Sequence, residues 1–128
     1  MASGTLVLLG PDAPAKAQLC GQMLLERLQR AGFAPERSNV EVLGAGAVVP
    51  GLLPGPAKVP EVVLRVSIHD SRKAAVERFT KEFAPLVTSG TPGVTGYTTG
   101  RPPVREVFAY WPALIGKHLV RPEVRIDP

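Results

Sequence analysis

The chain has 128 residues, a length typical of one domain that can bury a core without disulfides or metal ions. Hydrophobic residues make up 45% and charged residues 20% of the chain, which excludes intrinsic disorder. The net charge is +4, but the basic residues are dispersed, so we expect neither nucleic-acid nor membrane binding. A single cysteine, Cys20, excludes an internal disulfide and a cysteine-rich metal site. No signal peptide or spanning segment is recognisable, which predicts a cytoplasmic protein.

A strand and a long helix are predicted in the first third of the chain. Residues 5–9 form a continuous apolar run that ends at a Gly-Pro pair, which predicts a strand covered on both faces. Apolar residues then recur at helical spacing over 13–31, with Asp12 as the expected N-cap and Gly32 as the expected left-handed residue after the helix. Cys20 falls in this apolar stripe, which predicts a buried hydrophobe rather than a nucleophile.

Two further strands are predicted in the middle of the chain. Residues 39–43 form the second strand, and the glycine- and proline-rich segment 44–60 is expected to be a loop. Residues 62–69 alternate between apolar residues and a mixed face, so the sheet is expected to be covered by helices on one side only. The mixed face consists of Val63, Arg65, Ser67 and His69.

The second half of the chain repeats the pattern of a helix followed by a strand. Asp70 is the expected cap of a helix that Pro85 should kink or end near Ala84. Its expected buried stripe is Val76, Phe79, Phe83 and Leu86 or Val87. Residues 104–111 are predicted to form a fourth strand and 123–126 an extra C-terminal strand. The order predicts one α+β domain over 1–128 with a ferredoxin-like βαββαβ fold, two helices lying on one face of an antiparallel sheet.

The uncovered side of this sheet predicts a partner. The first strand has apolar residues on both sides, so either loops fold back over it or another subunit packs there, and we favour a subunit. The partner is either a larger protein or a second copy of the chain. The residues predicted to contact it are Val63, Arg65, His69 and Trp111.

The glycine-rich segment 89–101 is the strongest candidate for a binding site. Its glycines permit positive φ and close approach of the backbone to a ligand, and its hydroxyl groups and Arg101 suit a carboxylate or phosphate. The alternative is a flexible surface connection. The predicted substrate-binding residues are Gly90, Thr91, Gly93, Thr95, Gly96, Tyr97 and Arg101. No cofactor is predicted.

The two histidines offer little further chemistry. His69, at the end of the third predicted strand, is either a general base or a solvated or interface histidine. Neither His69 nor His118 has a second ligand at metal-binding spacing, so no metal site is predicted. No nucleophile-histidine-carboxylate set and no paired carboxylates can be assembled, and the catalytic residues stay unassigned.

Several segments together resemble the C-terminal part of the acyclic terpene utilisation (AtuA-like) family. These segments are Leu9-Gly10-Pro11-Asp12-Ala13, Glu61-Val62-Val63-Leu64-Arg65-Val66, Pro85-Leu86-Val87-Thr88-Ser89-Gly90-Thr91-Pro92-Gly93 and Phe108-Ala109-Tyr110-Trp111-Pro112. The resemblance covers residues 4–126, essentially the whole chain.

The resemblance implies a role in the catabolism of branched, terpene-derived acyl-CoA compounds, with a hydratase or lyase reaction. Family members usually carry a large α/β portion ahead of this region. The resemblance therefore suggests a split enzyme whose larger subunit supplies that portion, with segment 89–101 completing a site at the interface for a carboxylate or acyl-CoA ligand. The alternative is a homo-oligomeric module without enzymatic activity that binds a small anionic ligand in the same segment.

Overall fold

The computed structural model describes residues 1–49, 51, 59–96 and 100–126. Within these residues, helices pack on one side of an antiparallel sheet, which confirms the predicted α+β class. In chain order the elements are β1 (Ala2–Leu9), α1 (Ala13–Arg30), β2 (Arg37–Leu43), β3 (Glu61–His69), α2 (Lys73–Lys81), α3 (Phe83–Ser89) and β4 (Val94–Thr95).

The strand order across the sheet is β2-β3-β1-β4, and every neighbouring pair is antiparallel. β1 and β2, which α1 connects, therefore run parallel to each other with β3 between them. In the same way β3 and β4, which α2 and α3 connect, enclose β1. Each β-α-β unit thus holds a strand of the other unit between its own two strands, which is the split βαβ arrangement.

The hydrophobic core lies between the sheet and the helices. The rings of Phe79 and Phe83 pack edge to face with centroids 5.1 Å apart, and both side chains are fully buried. Complete burial of one such side chain stabilises the fold by roughly 1.5–3 kcal/mol. The predicted apolar stripes are confirmed. Their buried members are Ala17, Cys20, Leu24 and Leu28 in α1, Val76, Phe79, Phe83 and Leu86 in α2 and α3, and Val62, Leu64, Val66 and Ile68 in β3.

The ends of α1 differ in how well the sequence predicts them. Gly32 follows the helix with φ 88°, as expected. Asp12 occupies the N-cap position, as predicted, but its side chain makes no capping hydrogen bond. Its backbone is left-handed, with φ 57°, and its carbonyl oxygen accepts a hydrogen bond from Lys16 N at 3.0 Å. The tight turn from β1 into α1 requires this conformation, which aspartate tolerates better than most residues.

The start of α2 and the break after it also differ from the predictions. Asp70 does not cap α2, because the helix begins at Lys73 and the Asp70 carboxylate accepts a hydrogen bond from Arg72 N at 2.8 Å in the turn before it. The helix is interrupted at Glu82 rather than near Ala84. Pro85 lies in the first turn of α3, where its missing N–H group costs little.

The fourth strand is shorter and earlier than predicted. β4 comprises Val94–Thr95, which pair with Leu8 and Val7 of β1, and residues 104–111 are not a strand. Among the bonds described for residues 104–111, Arg105 exchanges two backbone hydrogen bonds of 2.8 Å with Met1, the residue before β1. Among the described residues, those after Arg105 belong to no strand. The predicted strand at 123–126 is likewise absent from the described residues.

The C-terminal arm, residues 106–126, extends from this edge as exposed chain with one turn of 3-10 helix at Lys117–Leu119. Within the arm, the exposed large hydrophobic side chains are Val107, Phe108, Tyr110, Trp111, Leu114, Ile115, Leu119, Val120, Val124 and Ile126. The described residues of this chain do not bury them.

Candidate functional site

The first half of the glycine-rich segment lies at the end of the sheet where β1 leads into α1. The carbonyl oxygen of Gly93 accepts a hydrogen bond from Leu9 N at 2.9 Å, which ties the segment to the last residue of β1. Gly93 has φ 92°, and a Cβ atom there would overlap the carbonyl oxygen of Leu9. A Cβ atom at Gly90 would similarly overlap the carbonyl oxygen of Leu86. Both glycines are therefore required by the fold itself.

The hydroxyl of Thr91 faces the protein rather than solvent. Thr91 Oγ1 lies 3.3 Å from Cys20 Sγ and shares a hydrogen bond with it. Cys20 is buried in α1, as predicted, and this contact fastens the glycine-rich segment to the helix. Sequence reasoning identified both residues but gave no signal that they meet.

The structure does not bring all the predicted ligand-binding residues together. Gly90, Thr91 and Gly93 lie at the β1–α1 end of the sheet, whereas Thr95 is part of β4, opposite Val7. Gly96 follows β4, and a Cβ atom there would meet open space. Arg101 is exposed further along the edge, and Tyr97 lies outside the described residues.

A cleft of about 720 Å³ lies at Gly10, at the N-terminal end of α1. Gly10 N donates a hydrogen bond to Pro60 O at 2.8 Å, next to the Leu9–Gly93 bond, so these two bonds hold the walls in place. The Nζ atom of Lys16 lies 3.9 Å from the position that a Cβ atom of Gly10 would occupy. A helix N-terminus and a lysine favour an anionic group. The described lining residues are Gly10, Pro11, Asp12, Pro14, Ala15, Val59 and Pro60.

The side of the sheet away from the helices, here called the open face, carries three of the four predicted partner-contact residues. Val63, Arg65 and His69 lie on this side and are half-buried. Trp111 lies on the C-terminal arm and is 87% exposed, so it neither joins the open face nor lines the cleft at Gly10.

Arg65 is already engaged within the chain. Its guanidinium donates two hydrogen bonds, of 2.7 and 2.8 Å, to the Glu41 carboxylate directly opposite on β2. These bonds lower the pKa of Glu41 and raise that of Arg65. The pair restrains both side chains, so the open face presents a fixed charged group beside the apolar side chains of Val7 and Val63.

His69 has a carboxylate neighbour that the sequence did not reveal. Glu36 Oε2 lies 3.5 Å from His69 Nδ1, and both side chains are about half exposed. The hydroxyl and backbone N–H of Ser71 donate hydrogen bonds to the other oxygen of Glu36, and these bonds lower the pKa of Glu36. The three residues come together only because β2 and β3 pair in register, which sequence spacing cannot show.

His69 and Ser71 line a second cleft, of about 710 Å³, at the opposite end of β1 from Gly10. Its described lining also includes the basic residues Lys73 and Arg105, the N-terminal residue Met1 and the acidic residues Asp70, Glu77 and Glu106, so the cleft carries charges of both signs. The sequence suggested an isolated histidine. Because Glu36 lies beside it, His69 is better placed for proton transfer than an isolated histidine would be.

Asp70, also in this cleft, is a structural residue. Its side chain is fully buried, and its carboxylate accepts hydrogen bonds from the Arg72 backbone and guanidinium at 2.8–2.9 Å. These bonds hold the pKa of Asp70 well below its usual range. The Arg72 guanidinium also donates to the carbonyl oxygen of Ala34, and the group lies 5.9 Å from the ring centroid of Phe33. Asp70 thus fixes the loop before β2 against the start of α2.

Two absences hold for the part of the chain that the structure describes. No group of three histidine, cysteine, aspartate or glutamate side chains there is arranged to hold a metal ion. No helix there is long and apolar enough to cross a bilayer.

Fold and site together define an α+β domain of the split βαβ type with clefts at both ends of β1. The family model described as "Acyclic terpene utilisation family protein AtuA" matches residues 1–126. The chain therefore belongs to the acyclic terpene utilisation family, as the resemblance predicted, and membership suggests a role in that process. Neither a curated protein nor a solved structure matches the chain significantly.

Proposed function

We propose that this chain is the small component of a two-part AtuA-type enzyme. In this proposal the enzyme carries out a hydration or lyase reaction on a carboxylate or acyl-CoA substrate in the cytoplasm. A larger protein subunit lies against the chain, and segment 89–101 completes a substrate site at their interface. The family match supplies the metabolic context for the proposal.

The observation that carries the two-part proposal is the C-terminal arm. Tyr110 and Trp111 are 99% and 87% exposed, and the arm presents ten large apolar side chains without a partner among the described residues. An exposed apolar surface of this extent marks an interaction site. The proposal also assigns Val63, Arg65 and His69 of the open face to the interface with the partner.

The substrate contacts in the proposal follow from the cleft at Gly10. Gly93 is bonded to Leu9, the residue before Gly10 of the cleft, and Lys16 Nζ lies close to Gly10. A carboxylate or thioester carbonyl placed there would lie near the positive end of α1. The partner closes the cleft, which excludes water and strengthens these electrostatic contacts.

The test is an activity assay on the assembled protein. The tagged chain is isolated from its native cells with any stable partner, and hydration of a branched 2-enoyl-CoA thioester is followed by mass spectrometry. We expect activity in the complex and none in the chain alone. Gly96→Val, at a position with open space around it, should reduce kcat/KM at least tenfold, whereas the exposed control Lys81→Ala should not.

Two results would overturn this proposal. The first is a complex that hydrates neither enoyl thioesters nor the corresponding carboxylates. The second is full activity of the chain by itself.

The same exposed surface favours one alternative, a homo-oligomeric module without enzymatic activity that binds a small anion through segment 89–101. This alternative requires a stable dimer or higher oligomer in the absence of any other protein. The mass of the assembly therefore separates the two proposals.

A further inference from the structure

A buried carboxylate holds two arginines on the helical side of the molecule. Glu82, at the break between α2 and α3, has a side chain that is 2% exposed. Its Oε2 atom accepts a hydrogen bond from Arg27 Nε at 2.8 Å, and its Oε1 atom forms an ion pair with Arg78 Nε at 2.7 Å. Each oxygen of one carboxylate thus fixes one guanidinium group, and α1 is connected to α2.

Both contacts use the Nε atom and leave the outer edges of the two guanidinium groups to solvent. The side chains of Arg27 and Arg78 remain 44% and 45% exposed. Among the contacts described for this chain, no hydrogen bond or ion pair involves their terminal nitrogens. A guanidinium anchored at Nε retains terminal N–H donors in a fixed orientation, which reduces the entropy lost when an anion binds.

A third arginine joins them around a depression of about 260 Å³. This depression is lined by Arg27, Arg30, Ala31 and Arg78. Arg30 lies 3.8 Å from Glu26, but both side chains are mostly exposed, so this pair contributes little. Three arginine side chains therefore border one depression, and of their carboxylate partners Glu82 is buried and Glu26 is exposed.

Stabilisation of the helices accounts for only part of this arrangement. Arg27 and Arg30 lie in the last turn of α1 and Arg78 in the last turn of α2, where a positive charge offsets the helix dipole. That interaction needs neither a shared buried carboxylate nor a common depression. Glu82 and Glu26 together offset two of the three positive charges, so one positive charge remains at the depression for an anion to neutralise.

We propose that Arg27, Arg30 and Arg78 form a binding site for a phosphate group, with Glu82 as the positioning residue. Planar guanidinium groups match the oxygens of phosphate and bind them through paired hydrogen bonds. The ligand is either free inorganic phosphate or the phosphate of a larger molecule such as a coenzyme A thioester. The site rests on this cluster alone and does not require the proposed function.

Titration calorimetry of the full chain tests the site at constant ionic strength, with sodium phosphate, with adenosine 3′,5′-bisphosphate and with sodium chloride as the blank. We expect saturable binding of phosphate groups and none of chloride. Clearly tighter binding of the bisphosphate would identify the ligand as the phosphate group of a larger carrier molecule. Equal or tighter binding of inorganic phosphate would identify the ligand as the free ion.

Substitutions of individual arginines test whether phosphate binds at the cluster of Arg27, Arg30 and Arg78. Arg78→Gln and Arg30→Gln should each weaken phosphate binding about tenfold, the value of a lost charged hydrogen bond of roughly 1.4 kcal/mol. Arg78→Lys, which keeps the charge but loses the planar group, should weaken it less. Arg121→Gln, an exposed arginine on the arm, is the matched control and should leave the affinity unchanged.

Glu82→Gln separates positioning from general stability. It should weaken phosphate binding several-fold while the circular dichroism spectrum stays that of the wild type. Combined with Arg78→Gln it should weaken binding by less than the product of the two single effects, because Glu82 acts through the arginine. The proposal is overturned if neither phosphate compound binds at low millimolar concentration, or if binding is unaffected by both arginine variants.

Discussion

The helix-covered face and the C-terminal arm use similar side chains in opposite environments. Phe79 in α2 is fully buried and packs on Phe83, whereas Phe108 in the arm is 85% exposed. Val66 in β3 is fully buried, whereas Val124 is 83% exposed. The difference shows that apolar composition alone does not place a residue in the core. A residue is buried only where the strand order provides a neighbour for it.

The largest expected difference in stability between the two regions comes from introducing one charge into each of them. Phe79→Asp should abolish cooperative folding, because an unpaired buried carboxylate together with the lost ring costs on the order of 5 kcal/mol or more. Phe108→Asp, the same exchange in the arm, should change the free energy of unfolding by less than about 0.5 kcal/mol. Urea unfolding followed by circular dichroism measures both. A folded Phe79→Asp protein would refute the placement of α2 in the core.

Two glycines in segment 89–101 are expected to differ in the same way, because one is enclosed and the other has open space beside it. Gly93→Val should destabilise the chain by about 3 kcal/mol, because valine at φ 92° is strained and its Cβ atom overlaps the Leu9 carbonyl. Gly96→Val should alter stability by less than about 0.5 kcal/mol, since nothing lies near the added atom. Thermal unfolding distinguishes them, and equal midpoints would show that the Gly93–Leu9 contact is not as described.

A smaller effect on the free energy of unfolding is expected when acid protonates the buried carboxylate of Asp70. The pKa of Asp70 is lowered in the folded chain, so its ionised form contributes stability above the unfolded value, near 3.8, and this is lost as the pH falls below that value. Asp70→Asn should cost roughly 1–2 kcal/mol at pH 7. The difference between wild type and variant should shrink between pH 5 and pH 2. Unfolding free energies measured across that range check the sign, and a difference that grows in acid would contradict it.

The weakest expected effect on stability is in the arm. Replacing Tyr110 and Trp111 by serine should leave the unfolding free energy within about 0.5 kcal/mol of the wild type, because neither ring is buried. The same double variant should lose association with the partner, since aromatic side chains commonly dominate interface energies. Native mass spectrometry of tagged wild type and double variant measures that association. An unchanged association would remove these residues from the interface.

The sequence predicted the elements whose own pattern is periodic. The alternation over residues 62–69 and the helical spacing over 13–31 correspond to β3 and α1, because each pattern follows directly from which side chains face the core. The apolar run 104–111 was misread as a strand for the opposite reason. Its residues suit a strand, but they pair with no strand among the described residues, and a sequence pattern does not reveal whether a neighbouring strand is available.

The site was predicted only in part, because its contacts are tertiary. The glycines at 90 and 93 were recognisable, and a Cβ atom at either would overlap the carbonyl oxygen of Leu86 or Leu9, whereas their contact with a ligand stays a prediction. The approach of Glu36 to His69 and of Thr91 to Cys20 depends on strand pairing and helix packing. Nothing in the spacing of these residues along the chain could have indicated those pairs.

The most direct test of the account is the mass of the assembly that contains this chain. Light scattering after gel filtration is applied to the tagged chain purified alone and purified from its native cells, with the serine variant of Tyr110 and Trp111 in parallel. The account predicts a wild-type complex with one larger protein at fixed stoichiometry, which the variant does not form although it is folded. A wild-type chain that remains a monomer under both conditions, or a variant that assembles as the wild type does, would contradict it.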